Sequence, residues 1–271
     1  MCATCGCGEE SPTITLADHP HPHEHPHPHE HPHPHEHPHP HGHVHTETVS
    51  LEQKVLAKND RLAEDNRAWL AERDILALNL TSSPGAGKTT LLERTVRELN
   101  RDHPVAVIEG DQETLLDAER IRATGARAVQ VNTGAGCHLD AAMVHRALQT
   151  LDPEPGSILF IENVGNLVCP ALFDLGEHSK VVVISVTEGT DKPLKYPHMF
   201  AAAGLVIVNK IDLLPYVDFD LENCCGYVRS VNPGVEILPM SATRGDGTAQ
   251  WFRWIDNRTN VVMHPSPVDN G

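Results

Sequence analysis

Four groups of residues in this 271-residue chain have the types and spacing to do chemistry. The first is Ser82-Ser83-Pro84-Gly85-Ala86-Gly87-Lys88-Thr89-Thr90, which continues the apolar run ILALNLTS. Its tail matches the end of the phosphate-binding pattern G-x-x-x-x-G-K-S/T, with Ser82 at the first glycine position. Gly85, Ala86 and Gly87 let backbone N–H groups turn toward phosphate oxygens, and a helix starting near Lys88 adds its positive end. Lys88 would bring a charge to the β- and γ-phosphates, and Thr89 a hydroxyl to Mg2+, with Thr90 next in the loop.

The second group selects a base. Asn209-Lys210-Ile211-Asp212 directly follows the apolar run LVIV. A carboxylate at Asp212 can accept from N1–H and the 2-amino group of guanine. Adenine offers neither donor and would leave the carboxylate buried and unpaired. Lys210 can lie along the base, and Asn209 can tie this loop to the phosphate loop. Ser241-Ala242-Thr243, after the last strand, resembles the Ser-Ala motif that closes over guanine. The third group is acidic: Asp111 ends VAVIEGD, and Glu162 ends SILFIE ahead of Asn-Val-Gly165. Acids at such strand ends hold Mg2+ and orient an attacking water, so Lys88, Asp111 and Glu162 are the expected catalytic residues. Asp117 is a further candidate acid.

The fourth group binds metal. Cys2, Cys5 and Cys7 put three thiols within six residues, a set for Zn2+, Cu(I) or Ni2+. Fourteen of the 20 histidines lie in the His19–His45 run, where HPHPHE repeats three times and then varies. Neutral imidazoles on such a chain give many weak, interchangeable Ni2+ sites. Cys137-His138 and Cys169 could share a metal if their strand ends meet at one edge of a sheet. The alternative is a buried cysteine and a helix-capping histidine. Cys224-Cys225 lacks metal spacing and reads as structural.

These groups need a scaffold. Proline at nearly every second position of the repeat blocks helix and interior strand, so residues 11–50 read as an extended, disordered His/Pro-rich segment behind a Cys-rich head at 1–10. From residue 51 the pattern changes. Leu51, Val55, Leu56, Leu62, Trp69 and Leu70 give one helical face over 51–73. Apolar strands then fall at 75–81, 105–110, 128–132, 157–161, 181–186, 205–209 and 235–240, with helices at 88–101, 113–124, 138–150 and 193–203. Such alternation means α/β: a mostly parallel, doubly wound sheet flanked by helices, over 51–271.

Composition excludes other classes. Residues 1–50 hold seven acids and no Lys or Arg, and the whole chain carries a formal charge of −16. That argues against nucleic acid as a partner. No apolar run approaches the roughly 20 residues of a membrane span. MCATCGCGEE has no secretory signal character, and seven cysteines grouped by motif point to reduced thiols in the cytoplasm.

In combination, CxxCGCG, the His-rich segment, SSPGAGKTT, GAGCHLD, ENVGNLVCP, DKPLKYP and NKID resemble the HypB family of hydrogenase maturation GTPases. The resemblance implies a slow GTPase of the SIMIBI class of P-loop proteins, delivering nickel to the large-subunit precursor of nickel–iron hydrogenase. It implies that Cys2, Cys5 and Cys7 form an N-terminal nickel site. Cys137, His138 and Cys169 would be a Ni2+ or Zn2+ site near a dimer interface, and Lys192 a residue of a family-like segment. The partners it implies are a second copy under GTP or metal control, a HypA-like zinc protein, a nickel-donating metallochaperone or prolyl isomerase, and the hydrogenase precursor. Two alternatives stay open. One is a nickel store with a nucleotide-gated dimerisation domain. The other is a urease-type nickel accessory GTPase, whose Cys-Pro-His motif differs from Cys137-His138-Leu139.

Overall fold

The computed structural model describes residues 44–111, 120–121, 123–134 and 136–263; the side chains of residues 44–52 and of Asp111 are outside that description. Cys2, Cys5, Cys7, the histidines up to His43, Asp117 and most of the helix expected at 113–124 lie outside the described residues, although 120 and 121 are helical. The chain divides into two units, Met1–Glu52 and Gln53–Gly271.

The second unit is built on seven strands: β1 Leu76–Ser82, β2 Val105–Asp111, β3 Arg127–Asn132, β4 Ile158–Gly165, β5 Ser179–Ser185, β6 Leu205–Asn209 and β7 Glu236–Pro239. They form one sheet in the order β3-β2-β4-β1-β5-β6-β7. Every pairing is parallel. The strand side chains alternate between two buried faces, which is why the runs read as continuous Val, Ile and Leu. Leu76, Leu78, Leu80, Val107, Phe160 and Val183 face one side, packed on α2 (Lys88–Leu99) and on Trp251, Trp254 and Ile255 of the C-terminal helix. Ala77, Ile108, Leu159 and Ile161 face the other, packed on Leu70 of α1 (Val44–Ala71) and on Val144, Leu148 and Leu151 of α3 (Ala141–Leu151). A third cluster around Val182, Ile184, Val206 and Val208 extends this second face.

Three elements differ from expectation. The first helix begins at Val44, seven residues ahead of Leu51 and after the last proline of the repeat, Pro40. Its buried stripe is Asn59, Ala63, Asn66 and Leu70, whereas Val55 is exposed and Leu56 and Leu62 are half-buried. The helix expected from residue 138 starts at Ala141, because the Asp140 carboxylate caps it by accepting from Met143 N at 2.7 Å. The helix expected at 193–203 is two short ones, α4 Lys192–Lys195 and α5 Pro197–Ala201. Pro197 has no N–H to continue the first and opens the second. The remaining helices are α6 Leu221–Val231 and α7 Thr248–Met263.

The approach of α1 to the loop before β5 depends on Gly176. Its φ is +89°, and a Cβ there would meet Ala63 O at 2.6 Å, Asn66 Cβ at 2.7 Å and Arg67 N at 2.9 Å. Gly176→Ala is therefore expected to cost about 2–4 kcal/mol of unfolding free energy through strain and overpacking. Urea unfolding would show a lower midpoint at an unchanged slope; an unchanged midpoint would mean the helix yields freely.

Candidate functional site

The order of strand addition switches sides at β1, with β2, β3 and β4 on one side of it and β5, β6 and β7 on the other. The crevice at the carboxyl ends of such strands is where open α/β sheets bind ligands. Here it is a cleft of about 640 Å3 lined by residues 82–90, Glu109, Arg120, Glu162 to Gly165 and Lys210. The phosphate loop leaves β1 and enters α2 at Lys88, with Gly85 and Gly87 at φ +74° and +93°. The helix N-terminus thus faces the cleft.

The base-selecting residues converge on this loop. Asn209 donates Nδ2 to Ala86 O at 2.9 Å and accepts from Ala242 N at 3.0 Å. Its Nδ2 lies so near the loop that a Cβ at Gly87 would meet it at 2.5 Å. Lys210, itself at φ +63°, donates to Gly85 O at 2.6 Å. Buried Ser241 accepts from Arg244 N at 3.1 Å. Arg94 of α2 donates to Ala242 O at 3.0 Å and Thr243 O at 3.2 Å, so the helix after the phosphate loop also braces the closing segment. Asp212 Oδ1 is buried with no hydrogen-bond partner among the described residues. A buried acceptor of this kind fits a ligand bringing adjacent N–H donors, as guanine does.

The acid expected on β4 is in place. Glu162 Oε1 accepts from Lys88 Nζ at 2.8 Å and Thr89 Oγ1 at 2.7 Å. Its Oε2 is buried without a hydrogen-bond partner among the described residues, which suits a Mg2+ or a water. Asp111 ends β2 opposite Asn132 of β3. Sequence reasoning missed Glu109, which is buried at the same register as Glu162 and lines the cleft. An acid inside the apolar run VAVIEGD was the available signal. Lys192 donates to Ser83 Oγ at 3.0 Å and pairs with Glu188 at 3.0 Å, placing its segment against the phosphate loop.

The Cys137, His138 and Cys169 group lies beyond the ends of β3 and β4. After β3, Thr133 Oγ1 donates to Gly136 O at 2.9 Å and Gly136 N to Thr133 O at 2.9 Å, a turn that sets Cys137 and His138 before the cap of α3. Cys169 opens a single 3-10 turn after β4. The Sγ atoms of Cys137 and Cys169 are 3.1 Å apart, and Cys137 Sγ is 3.6 Å from His138 Nδ1. One ligand atom from each residue lies within 4.8 Å of the others, and all three residues are half-buried. Burial pulls the His138 pKa below 6.5 against the opposing charge of Asp140, which favours the neutral, metal-ligating imidazole. The His138 ring also packs on Phe173 with centroids 4.1 Å apart. The capping role open to His138 is taken by Asp140. Two thiols and an imidazole suit Zn2+ or Ni2+. Cys224, by contrast, is buried, and burial pushes its thiol up to about 12, so it is inert.

The two groups touch through residues not singled out from sequence. Asn163, next to Glu162, accepts from Leu139 N at 3.1 Å. Asn166 donates to Cys137 O at 3.2 Å.

Comparison with known proteins shows the family to which the chain belongs. Residues 76–239 match the model of the CobW/HypB/UreG nucleotide-binding domain. The hydrogenase maturation factor HypB of Escherichia coli K12 is 61% identical over 210 residues, covering 78% of this chain and 72% of that one. The crystal structure of HypB from Archaeoglobus fulgidus superposes with a TM-score of 0.71 at 39% identity, over 75% of this chain and all of that one. HypB from Helicobacter pylori in complex with nickel gives 0.70 at 35% identity, over 75% and 95%.

Asp212→Asn removes the acceptor and keeps the shape. It is expected to weaken GDP binding about 100-fold while leaving the fold intact, since one buried acceptor set carries the discrimination. Calorimetric titration of GDP, with circular dichroism as the control, checks this; unchanged affinity would remove Asp212 from base recognition.

Proposed function

Since this chain belongs to the CobW/HypB/UreG family of nucleotide-binding proteins, as a relative of the hydrogenase maturation factor HypB, we propose that it is a GTPase that inserts nickel into the large-subunit precursor of nickel–iron hydrogenase. One observation carries the reading. At its carboxyl end β4 presents Glu162 to the phosphate loop and, one residue on, Asn163 to the backbone at Leu139, beside Cys137 and His138. A single strand end therefore serves both sites.

The roles follow from the contacts. Gly85 to Thr90 cradle the phosphates. Asn209, Lys210, Asp212, Ser241 and Ala242 hold guanine. Thr89, Asp111 and Glu162 are the residues suited to Mg2+, which when bound offsets charge on the β- and γ-phosphates. Lys88 must then exchange Glu162 for phosphate oxygens, and this frees Glu162 toward the metal or the attacking water. Any change in the strand end reaches Cys137 through Asn163 and Asn166. A tenfold change in nickel affinity between GTP and GDP states needs about 1.4 kcal/mol of coupling, and nickel must shift GTP affinity by the same factor. Cys137, His138 and Cys169 hold Ni2+ or Zn2+ as cargo. Cys2, Cys5, Cys7 and the His19–His45 run supply it. Hydrolysis is slow, the protein works in the cytoplasm as a dimer under GTP or metal control, and a HypA-like zinc protein, a nickel donor and the hydrogenase precursor are its partners.

Storage is the second reading, favoured by the Cys head and the His run. Thiolate-to-nickel absorption of the full chain, with Cys2, Cys5 and Cys7 changed to Ser, separates the two. Nickel affinity should differ at least about fivefold between GDP and a non-hydrolysable GTP analogue. Cys137→Ala should abolish the absorption, and Asn163→Ala should shrink the difference while both nucleotides still bind. Equal affinities would sink the coupling. In cells, Lys88→Ala should lose hydrogenase activity with total nickel unchanged; loss of nickel with activity retained would favour storage.

A further inference from the structure

The buried stripe of α1 carries two asparagines beside Ala63 and Leu70, and their polar groups converge on two neighbouring segments. Asn59 is 5% exposed and Asn66 fully buried. Asn59 accepts from Ala141 N at 2.9 Å and donates to Asp174 O at 2.8 Å. Asn66 donates Nδ2 to Ala141 O at 2.9 Å and to Leu175 O at 3.0 Å. Its Oδ1 is 3.0 Å from His145 Nδ1, and Gln149 Nε2 lies 2.9 Å from the far ring nitrogen. Beside them Arg67 holds both carboxylate oxygens of Asp174, at 2.8 and 2.6 Å.

Ala141 lies just after His138, and Asp174 and Leu175 lie just after Cys169. One helix thus grips both ligand-bearing segments by their backbones. A leucine stripe would seat the helix by area alone, without direction. A buried carboxamide is costly unless its N–H and C=O groups are met, so each one specifies where its partners must be. From the sheet side Lys180 donates to Pro170 O at 2.7 Å and Phe173 O at 3.4 Å, so the Cys169 turn is held on two sides.

We propose that Asn59 and Asn66 are positioning residues for the Cys137, His138 and Cys169 centre: pinning both segments to one helix, they set the gap across which the ligands meet. The proposal rests on the metal reading above for its purpose, although the gap itself can be measured without metal. The sulfur atoms of Cys137 and Cys169 report it directly, since their tendency to join depends on how closely they are held.

The test uses the full chain with Cys2, Cys5 and Cys7 changed to Ser. It is equilibrated with glutathione, two protein thiols and one oxidised glutathione giving the protein disulfide and two reduced glutathiones. Peptide mapping separates the Cys137–Cys169 product from Cys224 and Cys225. In Asn66→Ala the equilibrium constant should fall about tenfold, the scale of unpairing one buried amide. Affinity for Ni2+, read from thiolate absorption, should fall with it, and affinity for GDP should hold. An unchanged disulfide equilibrium in both Asn66→Ala and Asn59→Ala would overturn the proposal. So would a parallel loss of GDP affinity, which means general loosening. If Asn66→Ala does not fold, Asn59→Ala alone decides by the same measurements. If the parent takes up no nickel at these residues, nickel delivery fails as a function, while the disulfide equilibrium still decides the positioning role.

Discussion

Asn163 lies 1% exposed at the end of β4, and its carboxamide has to be paired there. Its oxygen accepts from Leu139 N and Val164 N, and its nitrogen reaches Asn79 Oδ1 of β1 at 3.4 Å. Asn79 passes the demand on by donating to Glu177 at 2.9 Å. Glu177 accepts from Leu175 N at 2.7 Å with its other oxygen and lies 3.7 Å from Lys180. Lys180, in β5, ends the series on the carbonyls of Pro170 and Phe173. These groups run beneath three adjacent strands in a low-dielectric interior, where no member can be withdrawn without stranding the next. The arrangement of both sites depends on that seam.

Its two ends lie at different chemistry. One abuts Glu162, which Lys88 and Thr89 hold from the phosphate loop. The other fixes the turn that carries Cys169. A parallel tie runs through β2: a Cβ at Gly110 would meet the fully buried Leu139 side chain at 2.7 to 3.0 Å, so the strand end bearing Asp111 packs directly on the Cys137-His138 segment. The contacts are polar in one line and steric in the other, and both join the phosphate end of the sheet to the segments that carry Cys137, His138 and Cys169.

Much of this was legible locally. The alternating apolar runs announce a parallel sheet because strands buried on both faces need little else. The phosphate loop and the Asn209 to Asp212 segment are legible because each works through neighbours in sequence. The Cys137, His138 and Cys169 grouping needed one topological fact, that β3 and β4 end at the same edge with β2 between them. What stayed hidden works through backbone far away. Asn59, Asn66, Asn163 and Asn166 act on peptide groups between 24 and 115 residues distant, and no spacing rule records that. The face of α1 was read only in part for the same reason: Leu70 is buried as expected, but periodicity counts apolar side chains and this helix also buries two carboxamides. Pro197 was visible but its break was overlooked within a good helical stretch.

The long reach of α1 also bears on the order in which the protein comes into being. The helix emerges from the ribosome ahead of the sheet it packs on, and its seats at Ala141 and at Asp174 to Gly176 are translated far later, 75 to 115 residues along. Until then its two asparagines have only water to satisfy them. Contacts this remote in sequence form late, after the loops between them have closed. The Cys137-His138 and Cys169 segments are accordingly aligned on α1 only once contacts this distant have closed, as the pairings of β1 with β4 and β5 must also do. A nascent or partly folded chain exposes single thiols, which hold a metal ion far less firmly than the assembled set.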